Sequence, residues 1–588
     1  PSEYFQHLNY WSFRLKILVK TITKVKAMDS PGELLLAATV ELDAVQAVLD
    51  SGFGYIKRSC LRDNKLDAEL LDQWQLASYD LAISVAEISA SREFNKYASK
   101  LSPGEVAQKI ALGFCADTLQ SVLQRLIVRS TELNFDRNTL LDFYQRPLFK
   151  ELLDKFLNAE FLAAIGNEIT ERDINRLPST LDEDKELVRE TFFRFSNDVV
   201  MPLAEKIHRQ DQDVPDAIIK PAAELGCFGT CIPERFGGLQ PDDHADSLSM
   251  IVVTEELSRG SLGAAGSLIT RPEIAARALL SGGTEAQQQR WLPKLATGEM
   301  LCAISITEPN TGSDVAAVSL KATETQGGWL LNGSKTWCTF AGKSELLVVL
   351  ARTNPDQSIG YKGLSLFMLE KPAYSGHKFK HQQQSQSQSQ EQEQGGSLTG
   401  NAIATIGYRG MHSYDLFFED YFVPAENLVG EKDGEGRGFY YTMAGFSGGR
   451  LQTAARATGV MQAAFEQALS YSRQRQVFGK AVADYQLTQV KLTRMLATLT
   501  AARQFSYAVA ELMDQGVGQM EASLVKLFSC RSAEWITREA LQIHGGMGYA
   551  EESVVSRLFV DARVLSIFEG AEETLALKVI ARELIAKS

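Results

Sequence analysis

At 588 residues, with 45% hydrophobic and 23% charged side chains, the chain has an ordinary globular composition and is too long for a single core. A net charge of -13 argues against a nucleic-acid partner, and no apolar run is long enough to span a membrane. The seven cysteines are scattered; only Cys227 and Cys231 are close in sequence, which predicts a reducing compartment and no zinc set.

In chain order, residues 10–28 (YWSFRLKILVKTITKVKAM) carry five basic residues and no acid, and their apolar spacing suits the first helix of a domain. The same stretch is also compatible with a targeting remnant or a membrane-surface helix. Leu-, Ala- and Glu-rich periodic segments continue, predicting an extra helical domain over 1–175. Pro178 then breaks the chain, Ser179 or Thr180 can cap, and a second helical domain is predicted over 181–301. From residue 302 to 430 short apolar runs alternate with turn residues, and Asn332-Gly333 reads as a hairpin signal, so this is a β domain. Within it, 378–398 is Gln- and Ser-rich and predicted to be a disordered insertion. His377 and His381 lead into that tract, and no metal site is predicted. Residues 436–588 return to the helical period, with segments near 450–475, 484–514 and 519–544. The fold class is therefore mainly α with a β domain.

Five stretches can carry chemistry. ISITEPNTGSD (304–314) is a turn offering backbone N–H groups, Gly312 and the Ser313 hydroxyl to a ligand. SKTWCTF (334–340) places Trp337 and Thr339 on one strand face and Cys338 on the other. RQRQVFGKAVADYQ (473–486) holds an Arg–Phe–Gly turn. HGGMGY (544–549) breaks a helical pattern with paired glycines just after Gln542. LSIFEGAEETL (565–575) sets Glu569, Glu572 and Glu573 near a helix start, where carboxylates suit the dipole whether or not one does chemistry.

These blocks, in this order and with GYRGMHSYDLFFEDYFVPAENLVG between them, resemble the acyl-CoA dehydrogenase family from about residue 181 to the end. The resemblance implies a helical domain, a middle β-barrel domain and a C-terminal four-helix bundle, preceded here by the extra domain. It implies FAD, an acyl-CoA substrate, α-proton abstraction with β-hydride transfer to flavin N5, and electron-transfer flavoprotein as acceptor. By position, Ile306, Thr307, Gly312 and Ser313 match residues at the flavin ring and the acyl-CoA pantetheine, and Trp337 and Thr339 match the far side of the flavin. Arg475, Phe478 and Gln486 match residues reaching a neighbouring subunit's FAD, and Gln542, Gly545 and Gly546 its adenosine-diphosphate site. A homodimer is expected, with a tetramer the alternative. Glu569 matches the catalytic base, flanked by Phe568 and Gly570 at the substrate; desolvation is expected to raise its pKa. Arg450 matches an arginine supporting the base. Ala571 and Glu573 depart from the family pattern beside the FAD.

The extra domain, the insertion, TRPEIAARALLSGGTEAQ (270–287) and RLQTAARATGV (450–460) resemble the branch oxidising (2S)-methylsuccinyl-CoA to mesaconyl-CoA in the ethylmalonyl-CoA pathway. Thr270 and Arg271 are the expected receivers of the distal carboxylate, and Ala265 disfavours a decarboxylating glutaryl-CoA reaction. The resemblance implies a cytoplasmic enzyme, or one of the mitochondrial matrix in a eukaryote. Two alternatives stand beside it: a short- or branched-chain acyl-CoA dehydrogenase, and a non-catalytic assembly protein of the same fold.

Overall fold

The computed structural model describes residues 31–102, 105–384 and 395–588. The basic stretch 10–28 lies outside the described residues. The extra domain is built from α1 (Pro31–Ser59), α2 (Gln75–Ser99), α3 (Val106–Val128), α4 (Pro147–Phe156) and α5 (Ala159–Glu171). Asn158 caps α5 by accepting from Phe161 N at 2.8 Å. Leu42, Phe53, Phe94 and Phe149 are sealed inside, so the periodic apolar faces pack on one another.

The domain is docked onto the C-terminal bundle through α5. Thr493 donates to Leu162 O at 2.8 Å, and a Cβ on Gly166 would lie 2.2 Å from the Gln489 carbonyl oxygen. Only a glycine permits that approach. Gly166→Ala is therefore expected to cost about 1–3 kcal/mol by overpacking. A thermal melt reads the effect, and an unchanged midpoint would refute the close docking.

The second helical unit opens at α6 (Glu183–Phe195). Its cap is Asp182, which accepts from Lys185 N at 2.8 Å, not Ser179 or Thr180. Ser179 instead accepts from Leu181 N and donates to Glu186, because it lies three residues before the cap. A π turn (Ser196–Val200) leads to α7 (Met201–Arg209), followed by α8 (Asp216–Glu224) and α9 (Ser247–Gly260). Another π turn, Leu262–Gly266, precedes α10 (Thr270–Gly282) and α11 (Glu285–Thr297).

The β domain holds β1 (Cys302–Ser305), β2 (Lys321–Thr325), β3 (Gly328–Thr339), β4 (Leu346–Arg352), β5 (Leu364–Glu370), β6 (Lys378–Gln382), β7 (Ser397–Ala402) and β8 (Ser413–Pro424). The order across the sheet is β1-β4-β2-β3-β8-β7-β6, with β5 antiparallel to β4. Two expectations are corrected here. Asn332 and Gly333 are not a turn; they sit inside β3, whose flanks on both sides keep pairing with β8. Gly333 has φ +131° and Asn332 exchanges hydrogen bonds with Asp420 at a register shift, where Glu419 and Asp420 of β8 bulge opposite the single Asn332. The true turn joins β2 to β3 at Gly327. Nor is 378–398 disordered throughout. Residues 378–382 and 397–402 pair antiparallel, because Phe379 and Leu398 alternate inward and Phe379 stacks on Tyr374 at 5.1 Å. The Gln/Ser tract 385–394 lies outside the described residues.

The C-terminal bundle comprises α12 (Gly438–Gln474), α13 (Gln486–Asp514), α14 (Gln519–His544) and α15 (Val554–Leu565). A last helical run over 572–587 carries a π stretch, Leu575–Ala581. Among the described residues no helix is long and apolar enough to cross a membrane. All seven cysteines are buried and free.

Candidate active site

After α15 ends, the chain turns sharply through Glu569 (φ +54°) and Gly570 (φ +101°). A glutamate in the left-handed region is strained, and such strain persists only where the surroundings enforce it. Here they do. Lys526 of α14 is buried and donates to Gly570 O at 2.7 Å, which holds the turn from below. Arg456 of α12 donates to Glu569 Oε1 at 2.7 Å, and Thr453 donates to Oε2 at 2.6 Å. Arg456 also donates to Thr453 Oγ1 at 2.6 Å and to Ser267 Oγ at 3.0 Å, and its guanidinium lies 4.6 Å from the Phe568 ring centre. Thr453 and Arg456, three residues apart on α12, thus grip one carboxylate.

Burial pushes the Glu569 carboxyl up, but the Arg456 charge, the Thr453 hydroxyl and the Arg271 charge outweigh it. The net result is a carboxyl held below the usual glutamate range. This corrects the expected rise. Desolvation alone would favour the acid, but it arrives with a fully buried cation.

Arg271, at the start of α10, donates to Ser267 O at 2.9 Å and to Tyr408 Oη at 3.0 Å. Tyr408 sits edge-on to Phe568 with ring centres 5.5 Å apart. The π turn before α10 brings Gly263 against the Arg409 carbonyl, which carries the Tyr408 loop into the site. Thr270 is different: fully buried, it donates to Gln452 Oε1 at 2.8 Å. Arg450 is not the partner of Glu569. It donates to Ser523 Oγ at 3.2 Å and feels Glu569 only through space. Thr453, Arg456, Tyr408 and Lys526 were missed by sequence reasoning. The first three lie inside the blocks that carry the resemblance, but nothing in one dimension says which residues of a block face Glu569.

In the β domain, the 306–320 loop is anchored from within. Glu308 accepts from Ser319, Leu320 and the buried Lys335 (2.9 Å), and Lys335 also donates to Ile306 O at 2.7 Å. Burial pushes the Lys335 ammonium down to about 8. Thr307 O accepts from Thr336 N, while Gly312 and Ser313 stand exposed at the loop tip. Trp337 has φ +56° and is 55% exposed although its strand is central; Cys338 beside it is fully buried. Thr339 Oγ1 lies 2.9 Å from Ser413 Oγ.

A third group occupies one end of the bundle. Arg475 follows α12, Phe478 is 99% exposed with φ +48°, and Gln486 opens α13. Gln542, Gly545 and Gly546 lie toward solvent at the end of α14. Tyr471 and His544 stack at 4.2 Å, which holds the ends of α12 and α14 together. Among the described residues a Cβ on Gly545 or Gly546 would meet nothing within 4 Å, so the backbone there is open to a close-lying group.

These surfaces suit FAD: an exposed Trp turned out where Thr336 and Trp337 of β3 bulge opposite Asp415 of β8, an exposed Phe, an open glycine pair and an arginine for a diphosphate. The bundle thus contributes a shielded carboxylate held below the usual glutamate range, and the β domain an exposed Trp. The acyl-CoA dehydrogenase N-terminal, middle and C-terminal domain families match residues 182–299, 303–421 and 436–585. The chain is 36% identical to the (2S)-methylsuccinyl-CoA dehydrogenase of Cereibacter sphaeroides, over 94% of this chain and 98% of that one. Among solved structures it is similar to butyryl-CoA dehydrogenase from Megasphaera elsdenii (TM-score 0.61, 30% identity, 69% of this chain and 100% of that one). It is also similar to a glutaryl-coenzyme A dehydrogenase in complex with glutaryl-CoA (TM-score 0.62, 28% identity, 70% and 98%). The chain belongs to the acyl-CoA dehydrogenase family and is an FAD-dependent oxidoreductase with acyl-CoA dehydrogenase activity.

Proposed function

We propose that the chain oxidises (2S)-methylsuccinyl-CoA to mesaconyl-CoA, with Glu569 removing the α-proton. One observation carries this reading: the buried positive charge around Glu569. Arg271, Arg450, Arg456 and Lys526 all sense or are sensed by that carboxylate, yet among the described residues only Arg456 pairs with it. The nearby Glu273 is paired elsewhere, with Arg277 at 2.8 Å. A substrate bearing a second carboxylate balances such an excess, and an aliphatic acyl chain does not.

When bound, FAD supplies the two-electron acceptor. Ile306, Thr307, Gly312, Ser313, Trp337 and Thr339 would hold its ring and the acyl-CoA pantetheine beside it. Arg475, Phe478 and Gln486 would reach the FAD across a homodimer contact, and Gln542, Gly545 and Gly546 would hold its adenosine diphosphate there. Thr453 and Arg456 keep Glu569 ionised and oriented, while Phe568 and Tyr408 exclude water from it. Arg271 receives the distal carboxylate; Thr270 supports it by tying α10 to α12 through Gln452. Electron-transfer flavoprotein is the downstream acceptor. The extra domain covers the bundle face around Gln489, which favours a dimer over a tetramer.

The test is a substrate comparison. Arg271→Ala is expected to raise KM for methylsuccinyl-CoA at least tenfold more than for butyryl-CoA, the loss of about one charge-assisted hydrogen bond. Equal effects on both substrates would sink the assignment.

A further inference from the structure

Asp211, His377 and His412 are far apart in the chain but converge where the turn after α7 meets the β domain. His412 Nε2 lies 3.2 Å from His377 Nε2 and 3.1 Å from Asp211 Oδ1. His377 Nε2 closes the triangle at 3.3 Å from Asp211 Oδ2. Sequence spacing pairs His377 with His381, but β6 carries His381 away to hydrogen-bond Tyr374.

Hydrogen bonds alone do not account for this triangle. Each ring nitrogen offers either one proton or one lone pair. If both Nε2 atoms donate to Asp211, two N–H groups face each other across 3.2 Å. If one is unprotonated and accepts from the other, its lone pair faces a carboxylate oxygen. One edge is repulsive in either arrangement. A cation at the centre satisfies all three edges at once. Tetrahedral zinc, with ligands at about 2.0–2.1 Å, sets neighbouring ligand atoms about 3.3–3.4 Å apart, close to the spacing here.

A second, independent feature points the same way. His412 is buried, and its Nδ1 lies 2.9 Å from Asp213 Oδ1, whose other oxygen accepts from Gly376 N at 2.7 Å. A carboxylate on the far nitrogen of a histidine fixes the tautomer and turns the Nε2 lone pair toward a metal. Asp211 itself is held at φ +50°. Arg409 approaches Asp211 only to 3.7 Å, since it donates to the carbonyls of Thr405 and His208. His377 is half exposed, which leaves a fourth position open to water.

We propose that Asp211, His377 and His412 bind one divalent transition-metal ion, Zn²⁺ by ligand chemistry, with solvent as fourth ligand and Asp213 orienting His412. The ion ties the end of α7 to β6 and β8. His412 O accepts from Phe340 N at 2.7 Å, so the tie braces the strand end that carries Thr339 and Ser413.

The full-length, FAD-loaded protein is stripped with a chelator and equilibrated by dialysis against micromolar free Zn²⁺, and bound zinc is measured by atomic absorption. The expected result is one Zn²⁺ per chain in the parent and none in His377→Ala, with FAD content and acyl-CoA-dependent flavin reduction retained in that variant. Asp213→Asn is expected to bind about 10–100-fold more weakly. Equal zinc in parent and His377→Ala, or none in either, would overturn the proposal; unchanged affinity in Asp213→Asn would remove Asp213 from it.

Discussion

Glu569→Gln is expected to keep its FAD and to reduce it at least about 10³-fold more slowly when acyl-CoA is added, the scale of a lost general base. The α-proton of a thioester is too weakly acidic for water to take it at a useful rate, so a positioned carboxylate is needed. Gln preserves the volume, accepts from Arg456 through its one amide oxygen and can donate from its amide nitrogen to Thr453 Oγ1, so the turn at φ +54° stays supported. Anaerobic stopped-flow at the flavin band reads the rate, and the same band reports that the protein is folded and loaded. Reduction at near the parent rate would remove Glu569 from the chemistry.

Arg456→Met is the second large effect, and it acts on the base through its charge. In the parent, burial raises the Glu569 carboxyl while Arg456, Thr453 and Arg271 lower it by more. A carboxyl depressed below its unfolded value contributes stability above that value, and the contribution is lost as pH falls through the folded pKa. Removing Arg456 reverses the balance: burial then dominates, the folded pKa rises, and Glu569 protonates at higher pH. The acid limb of the kcat/KM profile should move to higher pH. Stability at neutral pH should fall by about 3–5 kcal/mol, the cost of a buried charge left without its partner. Chemical denaturation measures the second effect. An unmoved acid limb would show that Arg456 does not set the ionisation of the base.

The two variants separate two roles. Glu569→Gln should be slow at every pH, whereas Arg456→Met should recover much of its rate once the pH is high enough to ionise Glu569. Recovery requires that the carboxyl, not the guanidinium, touches the substrate carbon. An Arg456 variant that stays slow at all pH values would instead place the guanidinium on the substrate.

Much of the organisation is legible in the amino-acid sequence. The long helices of the bundle follow from apolar periodicity, and the β region from short runs broken by Gly, Asn and Pro. These are local signals, carried by residues a few positions apart. The failures are also local in origin. Asn332-Gly333 has the composition of a turn but stays in strand opposite a bulge of β8, because pairing with β8 continues on both sides. Residues 378–382 read as low-complexity, yet one buried Phe379 and the edge of β7 recruit them into the sheet.

The candidate site divides the same way. Glu569 is recognisable from a short motif because its neighbours, Phe568 and Gly570, sit beside it in the chain. Arg456 is 113 residues away from Glu569, and Arg271 meets Tyr408 across 137. Arg450 and Arg456 are indistinguishable as letters on one helix; only the packing of α12 against the 569–570 turn decides which of them pairs with the carboxylate. The sequence by itself determined the family, the class of chemistry and the candidate for the base. The tertiary structure decided the ionisation of that base, the cations beside it and the meeting of His377 with His412 and Asp211. The reason is range: motifs and periodicity report neighbours along the chain, while a pKa and a ligand triangle depend on charges that only folding brings within a few ångströms.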